Sequence, residues 1–167
     1  GIGDGRYTHG DAIDVASYQS GLTLNDYRQL KSKGIRTVIV KISQGTGYLN
    51  PAASNQIRNA IQAGLKVAVY HYATFNNSGS GWNEGRHMVD CLRKLGLGPN
   101  TLIFADMEDG ATLNNQVKNG LNSFWSSLNN AGYRNHAVYV YAGYRYRDAV
   151  VSTVGKSRTW LAQYPFT

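Results

Sequence analysis

Two carboxylates stand two residues apart at the end of an apolar run: Leu102-Ile103-Phe104-Ala105 leads directly into Asp106-Met107-Glu108. On an extended strand such residues project to one face, their Cα atoms about 6.5–7 Å apart. Carboxyl groups that close in a partly dry cleft repel, so one holds its proton to higher pH while the other stays ionised. A proton donor beside a lasting anion is what glycosidic cleavage needs. The acid protonates the departing oxygen, and the anion stabilises the cationic sugar centre. The chain carries only ten Asp and Glu residues. Three of them, Asp14, Asp106 and Glu108, fall inside or at the tips of apolar runs, which is a concentration rather than scatter. The competing reading is a strand end carrying solvated acids, with Asp109 as a further surface charge.

Other chemistries have less to stand on. His9, His71, His87 and His136 form no His-x-x-x-His, and no Cys-x-x-Cys exists, so zinc is disfavoured. A hard cation on Asp14, Asp106 and Glu108 stays compatible with their side chains. No G-x-S-x-G is present, and Ser78-Gly79-Ser80-Gly81 reads as a loop. Gly45-Thr46-Gly47 is too short for a phosphate cradle and no Gly-Lys-Ser/Thr follows it. Cys91, the single cysteine, sits in an expected helix over 82–95 without an activating neighbour and cannot form an internal disulfide. Twelve Tyr and three Trp against four Phe favour rings with polar tips, suited to stacking on sugars while bonding hydroxyls. Tyr18, Tyr70, Tyr72, Tyr141 and Tyr164 lie near strand ends. Lys41 needs a partner, either a substrate or carboxylate contact or a structural ion pair. His71 reads first as a satisfied core histidine.

These residues need a frame. Apolar, β-rich runs recur at 12–16, 37–42, 67–72, 102–107, 137–141 and 159–162. Amphipathic segments separate them. Asn50-Pro51 supplies a helix start, and expected helices at 24–33, 50–63 and 116–131 each stop at a glycine, Gly34, Gly64 and Gly132. Runs as apolar as Val38-Ile39-Val40 must be covered on both faces, which predicts a parallel α/β sheet. A TIM-like barrel and a doubly wound sheet both fit; without a G-x-G-x-x-G after the first strand, the barrel is favoured. The 167 residues, 42% hydrophobic, suit a single domain over 1–167. The net charge of +7 is spread along the chain without a Lys/Arg cluster. That distribution disfavours a nucleic-acid groove and suits a polyanionic surface such as a bacterial wall. No apolar run is long enough for a membrane span, and the polar, Gly-rich opening Gly1 to Gly10 carries no signal peptide.

Taken in order, the runs resemble a known family. Ala12-Ile13-Asp14-Val15-Ala16-Ser17-Tyr18-Gln19 looks like the opening strand of the glycoside hydrolase family 25 muramidases. Val40-Lys41-Ile42-Ser43-Gln44-Gly45 resembles their second strand and loop, and Val69-Tyr70-His71-Tyr72 the third. Asp106-Met107-Glu108-Asp109 resembles the acidic fourth, Tyr139-Val140-Tyr141 the fifth, and Trp160-Leu161-Ala162-Gln163-Tyr164-Pro165 the sixth. The resemblance implies an irregular TIM-like β/α barrel that cuts the β-1,4 bond between N-acetylmuramic acid and N-acetylglucosamine. It makes Glu108 the general acid/base and Asp106 the support of the substrate's own attacking acetamido group, with Asp14 completing the cluster. Tyr18, Gln19, Lys41, Tyr70, Tyr72, Tyr141, Trp160, Gln163 and Tyr164 are the expected substrate contacts. The expected partner is bacterial peptidoglycan, acted on by a monomer at the cell wall or outside the cell, with no metal, cofactor or nucleic acid. Two departures stand out. Gln44 replaces the family's Glu after the second strand, and the chain stops after the sixth strand, where members continue through two more and a further cleft Asp. A truncated, open barrel is therefore expected. A chitinase-like glycosidase and a non-catalytic wall-binding module are the rival expectations; the first lacks the longer Asp-x-x-Asp-x-Asp-x-Glu run here.

Overall fold

The computed structural model describes residues 8–9 and 11–163. A two-residue strand β1 (Thr8–His9) runs antiparallel to β2 (Ala12–Val15), which begins a parallel series. It continues through β3 (Thr37–Gln44), β5 (Lys66–Tyr72), β6 (Ile103–Met107), β7 (His136–Tyr141) and β8 (Thr159–Ala162), while β4 (Tyr48–Leu49) folds back antiparallel on β3. Helices α1 (Leu24–Ser32), α2 (Ala53–Gln62), α3 (Ser78–Lys94), α4 (Val117–Asn130) and α5 (Arg147–Ser152) make the crossovers. The expected α/β architecture is there, with six parallel strands curled into a half-barrel rather than a closed one. Among the described residues no helix is long and apolar enough to cross a membrane.

The strand alternation sorts the core into two unequal parts. Val15, Val38, Val40, Val69, Ile103, Ala105, Met107, Val138 and Val140 point outward and are buried under the helices in the main core. Ile39, Ala68, Tyr70, Tyr139 and Trp160 form a smaller cluster on the concave face. Strands buried on both faces explain why the runs read as nearly unbroken apolar stretches. The acidic side chains of the concave face, Asp14, Asp106 and Glu108, gather toward the carboxyl ends of its strands, where this class of fold carries its chemistry.

Helix ends follow local chemistry. Thr23 and Asp26 form a reciprocal cap at α1, through Asp26 N–H to Thr23 Oγ1 at 3.2 Å and Thr23 N–H to Asp26 Oδ2 at 2.8 Å. Gly34, Gly64 and Gly132 all adopt positive φ, the left-handed turn that lets the chain leave a helix and enter the next strand. Two expectations need correction. The Ser78-Gly79-Ser80-Gly81 segment is the first turn of α3, capped by the Asn77 side chain accepting from Ser80 N–H at 2.9 Å. Its glycines misled because their value lies in packing. A Cβ on Gly81 would collide with the Gly120 carbonyl of α4, and one on Gly85 would sit 2.6 Å from Ser127 Cβ. Asn50 does not cap α2, which starts three residues later with Ala52 at its N-cap. Asn50 Oδ1 instead accepts from Ala52 N–H at 3.0 Å, closing the turn before the helix.

Candidate active site

Pairing across the sheet sets the site. Asp14 lies opposite Ile39, Lys41 opposite Tyr70, and Tyr72 opposite Asp106, which in turn pairs with Tyr139. All of these belong to the concave face. Asp14 and Asp106 are fully buried, and Glu108, one residue past the end of β6, is half-buried. Extended backbone thus brings Asp106 and Glu108 into carboxyl–carboxyl contact. Neither Asp106 oxygen accepts from an N–H or O–H donor, so its contact with Glu108 is favourable only when one of the two carboxyls is protonated. Burial, first, and then the charge of Glu108 and of Asp14 hold the Asp106 carboxyl well above the usual carboxylate range, with Lys41 opposing weakly. The spacing places the two carboxyls together, and burial favours the protonated form of Asp106.

Lys41 sits beside this pair. Its ammonium lies 5.1 Å from the ring centroids of both Tyr48 and Tyr72 and donates to Gln44 Oε1 at 2.7 Å. Burial lowers its pKa, and the charges of Asp106 and Glu108 oppose that fall. Tyr70 is buried among the three acids, its phenol pushed well up by burial and then by Asp106, Asp14 and Glu108. The Tyr72 hydroxyl donates to Asp109 Oδ1 at 3.1 Å, and its pKa is raised by burial and by the charges of Glu108 and Asp109. Asp109 is therefore more than a surface charge: its other oxygen also accepts from Ala111 N–H at 3.0 Å, ordering the loop after β6.

The remaining expected contacts lie farther out. Tyr141, half-buried at the end of β7, sets its ring edge against Tyr144 at 5.5 Å. Trp160 is buried, edge-on to Tyr139 at 5.7 Å and to Phe104 at 6.5 Å, and lines a cavity of about 440 Å³ with Leu102, Phe104 and Ala137. Tyr18, on the 3₁₀ turn after β2, is 91% exposed, whereas Gln19 turns back so that its Oε1 accepts from Ala16 N–H at 2.8 Å. Gln163 is exposed just past β8, and Tyr164 lies outside the described residues. Among the described residues, no group of three or more His, Cys, Asp or Glu is arranged to hold a metal ion.

A second polar constellation lies on the opposite face of the sheet. His71 Nδ1 meets Ser43 Oγ at 2.7 Å and Nε2 meets Glu84 Oε1 at 2.8 Å. The order Ser–His–acid is that of a hydrolase, but Ser43 and His71 are fully buried beneath the helices and no substrate can reach them. His71 is a satisfied core histidine, its pKa lowered by burial against the opposing pull of Glu84. Sequence reasoning missed Glu84. Its signal was an acid on the stripe Gly81, Gly85, Met88, Leu92, the inward face of α3.

Comparisons with known proteins place the chain in a family and support its fold. Residues 13–167 match the family described as Glycosyl hydrolases family 25. The chain is 28% identical over 152 residues to the autolytic lysozyme of Clostridium acetobutylicum, covering 91% of this chain and 44% of that protein. It thus spans less than half the length of that curated relative. The catalytic domain of endolysin ply40, from bacteriophage P40 of Listeria monocytogenes, superimposes with a TM-score of 0.75 at 22% identity, covering 92% of this chain and 73% of that one. The modular autolysin LytC from Streptococcus pneumoniae, solved with a synthetic peptidoglycan ligand, gives 0.65 at 19% identity, covering 78% and 32%.

Proposed function

This chain belongs to glycosyl hydrolases family 25, and from that membership we propose that it is an N-acetylmuramidase cutting the glycan of bacterial peptidoglycan. The observation that carries the proposal is the buried Asp106 carboxyl in contact with the half-exposed Glu108. In this reading the proton favoured at Asp106 by burial passes to Glu108. Glu108 faces the cleft and delivers that proton to the glycosidic oxygen, while Asp106, left as the anion, accepts the N–H of the substrate's acetamido group. The acetamido oxygen bonds to the anomeric carbon as the glycosidic bond breaks. Water then opens this cyclic intermediate, giving its proton to Glu108, so the anomeric configuration is retained. Asp14 adds negative charge beneath the cation, and Tyr72 and the exposed Tyr18 offer sugar-stacking faces. The positive charge of the chain suits a polyanionic wall, at which or outside the cell the enzyme acts.

The test is the identity of the new reducing end. Purified peptidoglycan is digested, reduced with borohydride and hydrolysed, and the amino-sugar alcohols are separated. Muramitol is the expected product; glucosaminitol in its place would mean that the other glycan bond is cut.

A further inference from the structure

Strand β3 breaks its own alternation at a place that matters for the cleft. Lys41 pairs with Tyr70 but Ser43 pairs with His71, so two residues, Lys41 and Ile42, oppose one on β5. This is a β-bulge. Ile42 and Ser43 consequently both turn toward the helices, each fully buried. Lys41 and Gln44, three apart, both reach the concave face, where they bond at 2.7 Å. In a regular strand residues three apart lie on opposite faces. The cleft arrangement of Lys41 and Gln44 exists only because of the bulge.

We propose that Ser43, His71 and Glu84 are positioning residues that lock this bulge from behind the sheet and so aim Lys41 and Gln44 at the acid pair. The role rests on the reading of that pair as the catalytic centre. Ser43 Oγ and His71 Nδ1 stand opposite each other at 2.7 Å only in the bulged register. A slip of one residue would set Ile42 against the imidazole, leaving a buried nitrogen without a partner, and would swing Ser43 into the cleft. His71 in turn is held by Glu84, whose Oε1 also accepts from Thr74 N–H and whose Oε2 accepts from Thr74 Oγ1, each at 3.0 Å. Phe124 stacks on the imidazole at 4.9 Å. On the open side Asn50 secures the same two residues: its backbone N–H donates to Ile42 O at 2.7 Å and its Nδ2 to Lys41 O at 2.9 Å. A buried polar network with every member paired permits one geometry.

Lys41 lies over two tyrosine rings, so its ε-methylene NMR signal is shifted upfield and reports its place directly. In Ser43→Ala that signal should move at least halfway to its value in an unstructured peptide, while Ser43→Thr, which restores a hydroxyl, keeps it in place. On peptidoglycan, kcat of Ser43→Ala should fall roughly tenfold with little change in KM, as misplacement of groups around a reacting bond does. Leu128→Ala, in the same buried layer but away from the bulge, is the control and should leave the Lys41 signal where it was. If Ser43→Ala does not melt cooperatively, Glu84→Gln carries the same readings and should move the signal in the same direction. An unmoved Lys41 signal in the folded variant, or an equal shift in Leu128→Ala, overturns the proposal. A wild-type protein inactive on peptidoglycan would instead sink the reading of the cleft, and the NMR result would still decide the clamp.

Discussion

Replacing Asp106 by Asn should stabilise this protein while removing its chemistry. The side chain is fully buried, receives no N–H or O–H donor, and abuts Glu108. Its carboxyl keeps a proton in the folded state to a higher pH than in the unfolded chain. The native protein therefore holds a proton that the unfolded chain has already lost across the window between the unfolded value, about 3.9, and the raised one. Stability falls as pH climbs through that window, because folding must take up the proton. Asn has the same shape and no proton to hold, and its amide can donate to a carboxyl oxygen of Glu108 without placing a second charge beside it. Single stabilising substitutions commonly gain about 0.5–2 kcal/mol. At about 2–4 °C per kcal/mol for a chain of this size, Asp106→Asn should melt roughly 1–8 °C above wild type at pH 7. At about pH 2.5, more than a unit below the unfolded value of about 3.9, Asp106 is neutral in both states of the wild type and the advantage should shrink toward zero. Thermal melts of both proteins across that range provide the assay. A variant less stable than wild type at pH 7, or an advantage independent of pH, would refute the reasoning.

Three further outcomes are expected. Gly81→Ala forces a methyl into the Gly120 carbonyl, backbone that cannot swing aside, so denaturant melts should show a loss of about 1–3 kcal/mol from overpacking. Tyr18→Ala should leave the melting curve within about 0.5 kcal/mol, as the ring is 91% exposed. The same change should raise KM for glycan roughly two- to tenfold if the ring stacks on a sugar; a KM equal to wild type removes Tyr18 from the cleft. Tyr72→Phe deletes the bond to Asp109 and should cost about 0.5–1.5 kcal/mol in melts, with a several-fold drop in kcat/KM; unchanged stability would show that the bond contributes nothing.

Most of the frame was legible because it rests on local rules. Nearly unbroken runs such as Val38-Ile39-Val40 announce strands covered on both faces, and the three glycines at helix ends mark the turns between layers. The acid pair was legible too, since two-residue spacing at a strand end fixes a shared face. What stayed hidden depends on contacts distant in sequence. Gly81 looked like a loop residue because its reason lies in Gly120, on another helix. Asn50 looked like a cap because its bonds to Lys41 and Gln56 run to a strand and a helix face that spacing does not reveal. Glu84 gave no sign that it would meet His71, since that meeting requires α3 to be docked on β5. The bulge at Lys41 and Ile42 is invisible to any reading based on strict alternation.

The central claim is that Asp106 and Glu108 together perform the cleavage. Clearing of purified bacterial walls by wild type, Glu108→Gln and Asp106→Asn, each confirmed folded by its melt, tests it most directly. Glu108→Gln should lose at least about 10²–10⁴-fold in rate, the usual worth of a positioned acid/base, and Asp106→Asn should lose activity while gaining stability. Walls cleared by Glu108→Gln as fast as by wild type would contradict the account.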